Sequence, residues 1–132
     1  MTIVVGYTPN QYGQAALVKG IAEARLRQMK LVVVNATKGD AWVDRQFASE
    51  GEVEGLDSTL AEADVEHEIR QSVGADIADQ VLDVVDQVDA SLLVIGIRHR
   101  TAVGKMLMGS TAQRLLMDCP CDVLAVKPKR PA

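Results

Sequence analysis

The chain has 132 residues, 48% hydrophobic, 24% charged and only 3% aromatic, with a formal net charge of -4. That length suits one domain built on Val, Leu, Ile, Ala and Met, and the composition argues against disorder. The acidic balance disfavours a nucleic-acid partner, and no apolar run reaches the roughly 18 residues of a membrane span or follows a basic leader, so a cytoplasmic protein is expected.

In chain order, Thr2-Ile3-Val4-Val5-Gly6-Tyr7 is a β-branched run ended by Thr8-Pro9-Asn10, with Gly13 beyond it: a strand, then a turn. Leu17, Ile21 and Ala24, with Leu26 nearby, follow helical spacing between Gly13 and Gln28, and Lys19, Glu23, Arg25 and Arg27 take the other face. Leu31-Val32-Val33-Val34 is a continuous apolar run suited to a strand covered on both faces, ending at Asn35-Ala36-Thr37. Residues 40–52 hold Trp42 and Phe47 and close on polar Glu50-Gly51-Glu52, which predicts an irregular connection.

Val53, Leu56, Leu60 and Ala63 are spaced for a second helix despite Gly55. Val65-Glu66-His67-Glu68-Ile69-Arg70 partly alternates, as an edge strand with one wet face does. His67 has no partner indicated by the sequence and reads as a surface residue. Ile77, Val81, Val84 and Val88 form the stripe of a third helix, with Asp76, Asp79, Asp83 and Asp86 distributed around it as a solvated face rather than a catalytic one.

The most apolar run, Leu92-Leu93-Val94-Ile95, belongs to a central strand over residues 91–95 and leads into a glycine-punctuated stretch from Gly96 to Thr111. That stretch carries Arg98, His99, Arg100 and Lys105 and closes on Gly109-Ser110-Thr111 ahead of Ala112, Leu115 and Leu116. The pattern starts a helix running to about Asp118, with Ser110 as the expected N-cap. Free N–H groups and the dipole at such a start favour an anion, so the stretch reads as a phosphate cradle. Strand-to-helix turns that bind nothing share this glycine pattern. Residues 122–126 form a last strand, stopped by Pro128 and Pro131. Cys119 and Cys121 are too close in sequence for a clamp over a long loop, and the only histidines, His67 and His99, are distant, so both cysteines read as small apolar residues before that strand.

Strands and helices alternate throughout, which predicts an α/β fold: an open, five-stranded, mainly parallel sheet with helices on both faces over residues 1–128, then a short basic tail, 129–132. Ligands on such sheets bind beyond the carboxyl ends of the strands where strand order reverses, so the first and fourth strand loops should meet there. The apolar last strand is expected at a sheet edge, where antiparallel pairing of two copies through residues 122–126 would make a homodimer.

These residues resemble the universal stress protein family over nearly the whole chain. Nucleotide-binding members of that family carry Gly, two residues, Gly, nine residues, then Gly-Ser or Gly-Thr; here Gly96 and Gly109-Ser110 keep the spacing and His99 replaces the middle glycine. Ile3-Val4-Val5-Gly6-Tyr7, the segment Gly96-x-Arg98-x-Arg100-x-x-Val103-Gly104-Lys105, and Cys119-Pro120 before Val123-Leu124-Ala125-Val126 are similar too. Thr8 stands where the family usually has an acidic residue, and Pro9 where it has glycine. The resemblance implies a Rossmann-like, adenine nucleotide α-hydrolase-like fold and a cytoplasmic stress-response protein without strong catalysis. It further implies an adenine nucleotide, ATP with Mg²⁺, held by Thr8, Pro9, Ala36, Gly96, Arg98, His99, Gly109, Ser110, Thr111 and Ala112, and it points to the same homodimer. No activated nucleophile, metal cluster or Walker motif is visible. The competing reading is a nucleotide-free dimeric interaction module with a degenerate loop, which Thr8, Pro9 and His99 favour.

Overall fold

The computed structural model describes residues 1–37, 48–98 and 109–129. The expected irregular connection around Trp42 and Phe47 lies largely outside the described residues, as do His99, Arg100 and Lys105 and the last three residues of the tail.

The elements are β1 (Thr2–Gly6), α1 (Gln11–Arg27), β2 (Lys30–Thr37), α2 (Glu50–Glu62), β3 (His67–Val73), α3 (Ile77–Gln87), β4 (Ala90–Gly96), α4 (Ser110–Asp118) and β5 (Asp122–Val126). The strands form one sheet in the order β3-β2-β1-β4-β5, and every neighbouring pair is parallel. The chain steps outward from β1 to β3 and then resumes on the other side of β1 with β4. The order therefore reverses between β1 and β4, the place where a crevice must open at the carboxyl edge.

Alternation along each strand divides the core in two. On one face Ile3, Val5, Leu31, Val33, Leu92 and Val94 meet Ala16, Leu17 and Ala24 of α1 and Leu56 and Leu60 of α2. On the other, Val4, Val32, Val34, Leu93 and Ile95 meet Ala78, Val81, Val84 and Val85 of α3 and Leu115 of α4. A strand buried on both sides has no polar face to show, which is why β2 and β4 read as unbroken apolar runs. Leu26, by contrast, points outward and is exposed.

Several boundaries differ from the sequence reading for local reasons. Glu50-Gly51-Glu52 is the first turn of α2 rather than a break. Ser49 accepts from the Glu52 N–H and Glu52 accepts from the Ser49 N–H, a capping box that makes the polar run favourable at a helix start. Helix α1 begins before Gly13, because the Asn10 side chain caps it by accepting from the Tyr12 and Gly13 N–H groups. Asp76, read as part of a solvated face, caps α3 through the Asp79 N–H. Strand β3 lies at the edge, as its pattern implied, but begins at His67 and continues through polar Gln71 and Ser72 to Val73.

Candidate functional site

A cavity of about 280 Å³ opens at the carboxyl edge of the sheet, between the ends of β1, β2 and β4 and the first turns of α3 and α4. Gly6 and Thr8 bound it at β1, Val34 and Ala36 at β2, Ile95 and Gly96 at β4, Ile77 and Val81 at α3, and Thr111 and Ala112 at α4. The loops after β1 and β4 do meet here.

The β1 to α1 corner satisfies itself. The Thr8 hydroxyl donates to Asn10 Oδ1 at 2.9 Å, and that same oxygen accepts the two N–H groups at the start of α1. The corner is also tight: a Cβ on Gly13 would lie 1.7 Å from the Thr8 carbonyl oxygen. A Cβ on Gly96 would lie 2.2 Å from the Tyr12 carbonyl oxygen, so glycine at the end of β4 is required by the seating of α1 before any ligand is considered. Behind the corner, Tyr7 is buried and its hydroxyl accepts from Gln14 Nε2 at 3.0 Å. Burial, aided by the Glu52 carboxylate, pushes the Tyr7 phenol above its ordinary pKa against the opposing pull of the Gln14 bond, so it stays neutral.

Asn35, fully buried in β2, supports the same corner. Its Nδ2 donates to the Tyr7 carbonyl at 2.9 Å, while its Oδ1 accepts from the Ala48 N–H at 2.7 Å and from Gln71 Nε2 at 3.1 Å. One side chain thereby joins the end of β1, the approach to α2 and the edge strand β3.

Helix α4 starts differently from α1. Its N-cap is Gly109, not Ser110; Ser110 is the first helical residue, and among the described residues no side chain caps this end. Gly109 has φ -62° and ψ 151°, a conformation open to any residue, and a Cβ placed on it meets nothing within 4 Å among the described residues. The positive end of the helix dipole and the first turn, through Gly109, Thr111 and Ala112, border the cavity. Arg98 is the one charged side chain among the described lining residues, and none of these is a carboxylate. Arg114 fixes the helix from below: it bridges Asp76 at 3.0 Å, Asp79, and Asp118 at 3.4 Å, tying α4 to the start of α3. Hydrogen bonding to Asp79 raises the Arg114 pKa further.

Of the expected site residues, the structure brings together Thr8, Ala36, Gly96, Arg98, Gly109, Thr111 and Ala112 around the cavity. Pro9 and Ser110 are not among its lining, and His99 lies outside the described residues. Sequence reasoning missed Asn10, whose cap signal was present in the Asn preceding a helical stripe, and Tyr7, Tyr12, Ile77 and Val81, which also line the cavity.

Residues 1–127 match the family model described as universal stress protein family. A universal stress protein from Mycolicibacterium smegmatis is 55% identical over 126 residues, covering 96% of this chain and 97% of that one. A solved universal stress protein from Archaeoglobus fulgidus superposes with TM-score 0.80 at 27% identity, covering 96% and 98% of the two chains. A further structure, the universal stress protein from Archaeoglobus fulgidus in complex with dAMP, superposes with TM-score 0.72 at 25% identity over the same shares. With a family model spanning almost its whole length and a relative more than half identical, this chain belongs to the universal stress protein family.

Proposed function

We propose that the cavity binds an adenine nucleotide, with ATP and its Mg²⁺ as the expected form, and that the protein acts in the cytoplasm as a stress-response regulator without strong catalysis. The observation that carries this reading is Gly109. Glycine is an acceptable N-cap, and among the described residues the backbone and space there would equally admit Ser, Thr, Asp or Asn. Glycine there serves approach: it bares the first amides of α4 for a phosphate. Arg98 supplies a cation for the outer phosphates, and the apolar walls from Val34, Ile77 and Val81 suit a purine. Without a carboxylate in the described lining, Mg²⁺ would take its oxygens from the phosphates, with Thr8 and Thr111 hydroxyls nearby. The dAMP held by the Archaeoglobus fulgidus relative supports the ligand class.

A nucleotide-free interaction module is the second reading, favoured by Thr8, whose hydroxyl hydrogen goes to Asn10 instead of a ligand. Calorimetric titration of ATP and AMP into the wild type, Gly109→Val, Ser110→Ala and Arg98→Ala separates the two. Binding is expected in the wild type and lost in folded Gly109→Val. Ser110→Ala should change little, and Arg98→Ala should weaken ATP more than AMP, by about tenfold for one charge-assisted contact. Equal binding by wild type and Gly109→Val overturns the cradle, and an inert wild type selects the second reading.

A further inference from the structure

Cys119 and Cys121 lie far along the chain from the cavity's β1 and β4 corner, at the junction of α4 and β5, and their sulfurs are 3.5 Å apart. Both are free and half-buried, packed on the apolar face that includes Leu115, Val123 and Ala125. The spacing explains the contact. Cys119 leaves the helix in extended geometry, φ -67° and ψ 129°, as a residue before proline must. The chain then bends at Pro120 and Cys121, and the two thiols meet across Pro120. Pro120 fixes its own φ, which leaves the dipeptide little freedom to open. A disulfide needs the sulfurs at about 2.05 Å, so a short rotation about the side-chain bonds separates the observed pair from a bonded one.

We propose that Cys119 and Cys121 are a redox-active dithiol, which a low-molecular-weight disulfide converts reversibly to an intrachain Cys119–Cys121 disulfide across the α4 to β5 junction. Burial, with the neighbouring Cys119 thiol, pushes the Cys121 thiol up to about 12. The chemistry is the same whichever cysteine reacts first: its thiolate attacks one sulfur of the oxidant disulfide, forming a mixed disulfide and expelling one thiolate. That thiolate takes the proton of the second cysteine, whose sulfur attacks the first Sγ and expels the second small thiolate, which takes up the proton that the first cysteine had lost. Two protein thiols and one small disulfide become one protein disulfide and two small thiols. The ring closed is so small that it constrains the unfolded chain little and its geometry is unfavourable, which makes the bond readily reduced.

The test uses the full chain incubated with oxidised glutathione, quenched with acid, alkylated under denaturing conditions and weighed by mass spectrometry. The wild type should lose two hydrogens, resist alkylation, and recover both thiols on treatment with excess reduced glutathione. Cys119→Ser and Cys121→Ser should each stop at the mixed disulfide, carrying one glutathione on the remaining cysteine at a level about tenfold or more above that trapped on the wild type, because in the wild type the resolving sulfur is held at contact distance. Circular dichroism checks that each serine variant is folded. Wild type that accumulates glutathione adducts, that links two chains, or that keeps both thiols overturns the proposal.

Discussion

His67 sits where two acceptors converge on one ring. Nδ1 is 2.8 Å from the Val65 carbonyl and Nε2 is 2.7 Å from Asp57 Oδ1, and since neither oxygen can donate to it at neutral pH, the arrangement is complete only when both ring nitrogens carry hydrogen. The bond to Val65, then that to Asp57, raises the His67 pKa above its ordinary 6.5. A group raised on folding stabilises fully below its unfolded pKa, and the contribution fades as pH climbs through the folded value. His67→Gln should therefore cost most below pH 6.5, about 0.5–1 kcal/mol because Asp57 is well exposed, and the difference should shrink toward alkaline pH. Denaturant unfolding of both proteins from pH 5 to 9 checks it; a constant difference would mean that the imidazolium is not the stabilising form. Nothing in the sequence announced this pair, because its members are ten residues apart on different elements. Asn35 was equally hidden: following a run of valines, it looks like the polar end of a strand, yet it is a fully buried hub.

Between elements, the seating of α1 is the controlling contact for the site. Its first turn rests on the end of β4 where Gly96 leaves no room for a Cβ against the Tyr12 backbone. Gly96→Ala must lift α1 or bend β4, and a destabilisation of about 1–3 kcal/mol is expected, with nucleotide affinity falling alongside. Gly109→Ala, which meets nothing within 4 Å among the described residues, should cost less, under about 1 kcal/mol for a poorer N-cap. Thermal unfolding of the two variants makes the comparison directly. The sequence showed both glycines but could not assign them different tasks, since spacing is blind to what stands opposite. Elements whose periodicity reflects one buried stripe were legible: α3 with Val81 and Val84 inward, and β5 at its observed limits. Starts set by a side chain reaching back to the backbone, as at Ser49 and Asn10, were shifted in the reading because polarity there signals capping rather than solvent.

For the molecule as a whole, β5 stands at the sheet edge with β4 on one side only, and its residues after Asp122 are half-buried where those of β4 are buried. An apolar edge of this kind calls for a partner, and the proposed solution is a second copy paired antiparallel about a two-fold axis. Sedimentation at tens of micromolar should show the dimer; a clean monomer would count against it. The unequal helix starts described above also imply a pattern in time. Amides held by Asn10 at the head of α1 should exchange their hydrogens with solvent slowly, whereas those of Ser110, Thr111 and Ala112 at the head of α4, with no side-chain acceptor among the described residues, should exchange fast. Adding nucleotide should slow the α4 set and leave the α1 set as it was, so the deuterium clock of two short peptides would report which helix the phosphates have chosen.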